Sequence, residues 1–114
     1  MQLQTEITNS VLIIRAPALD LDASNAEEFK GSAASLVDGH SKVVLNLHDV
    51  GFMDSAGLGA VISVYRRVKM DGGEFRVFGL SPEVSALFDL VRMQRLFDIH
   101  KDKESAINAT LVGR

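Results

Sequence analysis

The sequence has no cysteine, no tryptophan and only two prolines among its 114 residues, and no long run of apolar residues. The lack of cysteine excludes disulfide bonds and thiolate metal sites, and it is typical of a reducing compartment. No stretch approaches the roughly 18 apolar residues of a membrane-spanning helix, and the N-terminus lacks the basic and apolar regions of a signal peptide. We therefore expect a cytoplasmic protein that does not insert into a membrane.

The net charge of the sequence is also small. Its 12 Lys and Arg residues and 15 Asp and Glu residues give a net charge of −3. Binding to nucleic acid or to anionic lipid needs clustered Lys and Arg, and the sequence contains no basic tract. The fractions of 46% hydrophobic and 24% charged residues are typical of a globular chain. We expect one domain over residues 1–114 and no nucleic-acid partner.

The hydrophobic pattern predicts alternating strands and helices. Leu3, Thr5 and Ile7 alternate with polar residues, and Asn9-Ser10 then offers a turn, so the chain should open with a hairpin. The whole pattern reads ββαβαβαβα, which predicts an α/β domain with a mixed sheet of about five strands and about four helices. The remaining predicted strands are VLIIR, KVVLNL, EFRVF and FDIH.

Several residues mark where helices should begin and what lies beneath them. Asp22 is expected to cap the first helix and Ser81 the third, and the last helix should run from about Asp102 to Leu111. Phe52 and Met53, just before the second helix, are expected to be buried in the core. The first turns of these helices should lie at the carboxyl ends of the strands, which is the usual functional edge of such a sheet.

The stretch DSAGLG, residues 54–59, is the most informative part of the sequence. Asp54 or Ser55 should cap the second helix, where the first N–H groups lack partners within the helix and attract an anion. Ala56 and Gly57 have almost no side chain and would leave the Ser55 hydroxyl open to a visitor. Gly57 and Gly59 each weaken a helix by about 1 kcal/mol relative to Ala, which indicates a need for close approach. A simple helix cap explains Ser55 equally well at this point.

Other chemistry has weaker support in the sequence. The GLG segment lacks the further glycine and the lysine of a phosphate-binding loop. His48 and Asp49 lie near Ser55 in sequence, but the G-x-S-x-G elbow of a serine hydrolase is absent. The three histidines do not have metal-ligand spacing, so we assign no metal. GGEF at residues 72–75 resembles a cyclic-dinucleotide synthase signature, but the chain is too short for that catalytic domain, and two glycines are expected to end a helix there.

Five segments that cover almost the whole chain occur here in a characteristic order. They are the opening hairpin, LDASNAEEF, MDSAGLG, the GG turn and SPEVSALFDLVRMQRLFDI. Together these segments resemble the STAS domain family, in particular the bacterial anti-sigma factor antagonists. In that family the serine after the aspartate is phosphorylated by a serine kinase that is also the anti-sigma factor. The resemblance implies that Ser55 is the acceptor. Many relatives have Ser or Thr at the next position, where this chain has Ala56, so Ser55 would act alone.

The resemblance implies a partner switch rather than an enzyme. The unphosphorylated protein would bind the kinase and release the sigma factor, and phosphorylation of Ser55 would abolish that binding. A serine phosphatase that reverses the modification is a further expected partner, whereas ATP and Mg²⁺ belong to the kinase, so no cofactor is assigned here. The alternative is an unphosphorylated structural or regulatory STAS subunit, for example of a phospholipid-trafficking transporter or of a pathway other than transcription. The expected partner-binding residues are Asp22, Asp54, Ser55, Ala56, Gly57 and Leu58.

Overall fold

The computed structural model describes residues 1–112, which form seven strands, four α-helices and one short 3₁₀ helix. The strands are β1 (Gln4–Thr8), β2 (Val11–Arg15), β3 (Asp20–Leu21), β4 (Lys42–Asn46), β5 (Phe52–Met53), β6 (Glu74–Phe78) and β7 (Asp98–His100). The helices are α1 (Ala26–Val37), α2 (Ser55–Met70), α3 (Pro82–Leu90), the 3₁₀ helix Met93–Arg95 and α4 (Lys103–Val112).

Five of the strands form one mixed sheet in the order β1-β2-β4-β6-β7. β1 is antiparallel to β2, and every other neighbouring pair in this sheet is parallel. The predicted α/β fold with about five strands and about four helices is confirmed. The fold places the loops after β4 and β6 at the same carboxyl edge, which is where α2 and α3 begin.

The opening hairpin is as predicted, because its turn residues adopt the backbone conformation that a tight hairpin needs. Asn9 and Ser10 have φ angles of 53° and 68°, and Thr8 pairs directly with Val11. Positive φ at both central residues is the mark of a two-residue turn whose twist matches that of the strands. The turn therefore fixes the register of β1 on β2.

Helices cover both faces of the sheet, so its central strand is buried on both sides. In β4, Val43 and Leu45 face the larger core, and Val44 faces the smaller one. A strand covered on both faces is expected to carry a continuous apolar run rather than an alternating pattern, and Val43, Val44 and Leu45 form such a run. The larger core contains residues of α1, α2 and α3, and the smaller one contains residues of α4 together with Val11, Ile13, Val44 and Phe78.

The structure adds a small two-stranded parallel sheet that the sequence pattern did not predict. Asp20 pairs with Phe52, and Leu21 pairs with Met53. Strands of two residues are too short to show the alternating pattern of a strand, so the hydrophobic pattern could not predict them. This small sheet lies directly before the loop to α1 and directly before α2, and it fixes the two segments relative to each other.

The expected cap of α1 is wrong. The helix begins at Ala26 and its N-cap is Asn25, three residues after Asp22. The Asp22 carboxylate instead accepts hydrogen bonds from the N–H of Ser24 at 2.9 Å and from its hydroxyl at 2.6 Å. Aspartate often closes such a local turn through its own side chain, and this interaction competes with capping. Within residues 1–112, no helix is long and apolar enough to cross a membrane.

Candidate functional site

Asp54 is the N-cap of α2, and its carboxylate joins two segments of the chain. One carboxylate oxygen accepts a hydrogen bond from the N–H of Gly57 at 2.9 Å, and the other accepts one from the N–H of Ala23 at 3.1 Å. The N–H of Gly57 does most to lower the pKa of the Asp54 carboxyl, and the N–H groups of Ala23 and Ala56 add to this effect. The first bond caps α2, and the second ties the loop before α1 to the start of α2.

Ser55 is the first residue of α2, and its side chain is exposed. Among residues 1–112 its hydroxyl has no hydrogen-bond partner, because Asp54 supplies the cap in its place. Ala56, the next residue, is also exposed. The structure thus presents an unengaged hydroxyl beside a small side chain, at the edge of the sheet where the sequence predicted it.

Gly57 and Leu58 have a different place from the one expected of partner-binding residues. Both are buried, and Leu58 packs in the larger core. A Cβ atom on Gly57 would lie 2.0 Å from the carbonyl oxygen of Leu21. The glycine is therefore required because α2 packs directly against the backbone of β3, and not because a visitor needs room. The surface around Ser55 is formed without these two residues.

Asp22 lies at the same edge as Ser55 and is half-buried. Its neighbour Ala23 donates its N–H to Asp54, so the loop that carries Asp22 lies directly beside the start of α2. Four of the six residues expected at the partner surface are accordingly brought together on the exposed edge. They are Asp22, Asp54, Ser55 and Ala56.

A groove between α1 and α2 opens beside Ala56. It has a volume of about 440 Å³, and a second cavity of about 270 Å³ continues it along both helices, with Lys30 and Ser63 lining both. Lys30 forms an ion pair with Glu27 at 3.2 Å. Gly59 is exposed in the first part of the groove, and a Cβ atom there would meet nothing within 4 Å. The groove extends the Ser55 surface along the helices, and most of its lining residues are small.

Comparison with known proteins identifies the family. The family model of the STAS domain matches residues 2–106. The chain belongs to the STAS domain family. This STAS domain is 29% identical over 108 residues to an anti-sigma F factor antagonist of Paenibacillus polymyxa, a match that covers 94% of this chain and 92% of the relative.

Solved structures of STAS proteins have the same fold. An anti-sigma-factor antagonist (STAS) domain protein from Planctomyces limnophilus superposes with a TM-score of 0.87 at 19% identity, covering 96% of this chain and 97% of that one. The Bacillus cell fate determinant SpoIIAA in its phosphorylated form superposes with a TM-score of 0.68 at 23% identity, covering 94% and 97%. The predicted membership of the family is confirmed.

The alternative chemistries find no support in the geometry of this STAS domain. His48 lies 3.6 Å from Asp49, and Asp49 pairs with Arg15 at 2.6 Å, but neither residue bonds to Ser55. A nucleophilic serine needs a base within hydrogen-bond reach. In residues 1–112, no three His, Asp or Glu side chains come together as a metal site would require. Neither His48 nor Asp49 is therefore placed to activate the Ser55 hydroxyl as a base.

Two features of the site were missed by sequence reasoning. Phe52 was expected in the core, yet it is half-exposed, and only Met53 of this pair is buried. In a strand, successive side chains point to opposite faces, and β5 is covered on one face alone. The N–H of Ala23 is the other missed feature, because a backbone group that meets Asp54 across 31 residues leaves no mark in the sequence.

Proposed function

We propose that this protein is an anti-sigma factor antagonist that works as a phosphorylation-controlled partner switch. The unphosphorylated form binds a serine kinase that is also an anti-sigma factor, and the sigma factor is thereby released. Phosphorylation of Ser55 abolishes the binding, and a serine phosphatase restores it. The protein acts by binding and not by catalysis, and its place is the cytoplasm.

One observation carries the proposal, namely that the hydroxyl of Ser55 is exposed and bonded to no other group of residues 1–112. A kinase must bring the acceptor oxygen against the phosphate of its nucleotide, so an engaged or buried hydroxyl would be a poor acceptor. The names of the relatives support the same function, since they are anti-sigma factor antagonists and one solved relative is phosphorylated. The partner surface would consist of Asp22, Asp54, Ser55 and Ala56, together with the groove that begins at Ala56.

A phosphate can change binding without changing the fold. It adds about 1.5 to 2 negative charges at neutral pH. Repulsion by a carboxylate of the partner about 5 Å away is on the order of 3 kcal/mol per unit charge at an effective dielectric constant near 20. Each 1.4 kcal/mol is about a tenfold loss of affinity. Because Ser55 projects from the surface, this charge acts on the partner rather than on the core.

The test is phosphorylation by candidate serine kinases from the same genome, above all one of the histidine-kinase-like ATPase fold encoded nearby. The protein is incubated with each kinase and ATP, and the phosphate is mapped by mass spectrometry. We expect it on Ser55 and not on Ser24 or Ser81, whose hydroxyls are engaged in hydrogen bonds at the same edge. Ser55→Ala removes the acceptor and serves as the control.

Binding to the same kinase separates the switch from a structural role. Ser55→Ala is expected to bind constitutively and Ser55→Asp poorly, measured by titration calorimetry. Equal binding by both variants would instead favour an unphosphorylated structural STAS subunit. Gly59→Leu tests the groove, because the new side chain fills space that is open in the fold. It should lower affinity by about tenfold or more without lowering the unfolding temperature.

A further inference from the structure

The N-terminus of α2 has an anion position, and a side chain of the protein already fills it. The N–H groups at the start of a helix attract an anion because they lack partners within the helix. Here the Asp54 carboxylate accepts the N–H of Gly57 at 2.9 Å and that of Ala23 at 3.1 Å. These bonds, together with the N–H of Ala56, lower the pKa of the Asp54 carboxyl. The resident anion is therefore held as a carboxylate at neutral pH.

A phosphate on Ser55 would otherwise compete for this position. Helical side chains tilt toward the N-terminus, so a phosphate on the first residue of α2 points back toward the same N–H groups. If these groups were free, they would bind the phosphate and draw its charge into the protein. With the position filled, the phosphate has no internal ligand.

We propose that Asp54 is a positioning residue that keeps a phosphate on Ser55 out of the helix N-terminus and displays it in solvent toward the partner. The inference rests on the proposed function and specifies how its regulation works. Since the phosphate gains no new ligand, phosphorylation leaves the fold as it is. Its charge then remains exposed toward the partner.

The charges around Ser55 should change the second pKa of a phosphate on this residue, which allows the inference to be tested by titration. On the neighbouring elements the charged groups are Asp20 and Asp22 before α1, and Glu27 with its ion-pair partner Lys30 on α1. With Asp54, the acids outnumber the bases, and Lys30 is already paired. A phosphate displayed in these surroundings should have a second pKa above its ordinary value of about 6, whereas one bound by helix N–H groups should have a second pKa below it.

The experiment uses the full chain with phosphoserine incorporated directly at position 55, so it needs no kinase. The second pKa of the phosphate is measured by ³¹P NMR titration, and the amide signals of Gly57 and Ala23 are followed by ¹⁵N NMR. In the otherwise unchanged protein we expect a second pKa above about 6. Phosphorylation should leave both amide signals in place, because Asp54 remains bonded to them.

Two variants supply the contrast. Asp54→Gly vacates the anion position but keeps a residue type that helices accept at the N-cap, and the backbone there is extended. We expect the phosphate to enter, its second pKa to fall below about 6, and the Gly57 amide to shift on phosphorylation. Asp54→Asn keeps an acceptor for Gly57 but removes the charge. It should lower the second pKa by about 0.5 pH unit, the effect of one carboxylate about 6 Å away in water, without a shift of the Gly57 amide on phosphorylation.

The inference would be overturned if the phosphorylated protein with Asp54 intact had a second pKa below 6 and a shifted Gly57 amide signal. That result would mean that the phosphate displaces the Asp54 carboxylate. A second pKa that is the same with Asp54, Gly or Asn at position 54 would also overturn the inference. If Asp54→Gly fails to fold, the phosphorylated protein with Asp54 intact still decides, because a second pKa above about 6 with an unmoved Gly57 amide supports the inference and the opposite result overturns it. The proposed function fails in a different way, namely if no kinase of the genome phosphorylates Ser55, and that outcome leaves the NMR result unaffected.

Discussion

Two helices of this protein begin at the same edge of the sheet, and the serines at their starts are in opposite situations. Ser81 is the N-cap of α3, and its hydroxyl accepts the N–H of Val84 at 3.2 Å and donates to the carbonyl of Gly51 at 3.3 Å. Ser55 lies one position further in, as the first residue of α2, and its hydroxyl is unengaged among residues 1–112. At α2 the capping bond is made by Asp54.

The comparison shows that the residue that caps the helix determines whether the serine hydroxyl is hydrogen-bonded within the protein. A serine at the N-cap uses its oxygen to satisfy a backbone N–H, as Ser81 does. When an aspartate precedes the serine and takes over the cap, the hydroxyl is released to the surface. The order Asp-Ser at the start of α2 therefore assigns the cap to Asp54 and leaves the Ser55 hydroxyl without a bond among residues 1–112.

The largest effect is expected from displacing the start of α2. Gly57→Ala places a Cβ atom 2.0 Å from the carbonyl oxygen of Leu21, so α2 must move away from β3. We expect the free energy of unfolding to fall by about 3 kcal/mol, measured by urea denaturation. Gly59→Ala is the matched control, because its Cβ atom meets nothing within 4 Å, and it should raise stability by up to about 1 kcal/mol. Equal stabilities of the two variants would contradict the close packing of α2 on β3.

A negative charge should affect binding at one helix start and not at the other. Ser55→Asp is expected to lower the affinity for the kinase at least about tenfold, because the charge lies within the proposed partner surface. Ser81→Asp adds the same charge at the same edge and keeps an N-cap acceptor for Val84, so it should leave the affinity for the kinase nearly unchanged. Because a carboxylate cannot donate to the carbonyl of Gly51, this variant should lose about 1 kcal/mol of stability. Titration calorimetry measures the affinity of both variants for the kinase. A similar loss of affinity in the two variants would mean that the effect is due to charge at the edge as a whole and not to Ser55.

Removing the hydroxyl should affect stability more at Ser81 than at Ser55, whereas an added charge should affect binding more at Ser55. Ser81→Ala leaves the N–H of Val84 without its cap and should lower the free energy of unfolding by about 1 kcal/mol. Ser55→Ala removes an exposed hydroxyl that has no bond, and its effect should remain within about 0.5 kcal/mol. Urea denaturation of both variants gives the comparison. If Ser55→Ala is the more destabilising of the two, its hydroxyl has a structural role after all.

Local patterns predicted the parts of the fold that depend on neighbours in sequence. The turn at Asn9-Ser10 and the cap at Ser81 were predicted because each depends on the conformation of a few successive residues. The position of Ser55 at the edge of the sheet followed from the order of strands and helices. These features involve short-range geometry, for which residue type is informative.

Contacts between distant segments account for what the sequence did not predict. The role of Gly57 depends on the backbone of β3, which is 36 positions away at Leu21. The bond from Ala23 to Asp54 also depends on tertiary packing, and so does the exposure of Phe52. Asp22 could make either a local turn or a cap, and only the path of the loop toward Asp54 decides between them.

The smallest effect concerns pH and tests whether Asp54 holds its proton less tightly in the folded protein. Because backbone N–H groups, Gly57 first, lower the pKa of the Asp54 carboxyl, this carboxylate stabilises the fold above the ordinary pKa near 4, and the contribution disappears as the pH falls through the lowered pKa. Urea midpoints measured from pH 6 down to about pH 2 should therefore fall less steeply below pH 4 in Asp54→Asn.

Glu6→Gln is the control for that titration, because Lys103 lowers the pKa of the Glu6 carboxyl through a hydrogen bond between β1 and α4, far from the start of α2 along the chain. This variant should lose its own share of the acid sensitivity and retain that of Asp54, so the two substitutions should be additive. An unchanged slope in Asp54→Asn would mean that the carboxylate does not cap α2 in solution. The free hydroxyl of Ser55 would then need another explanation, because the cap that releases it would be absent.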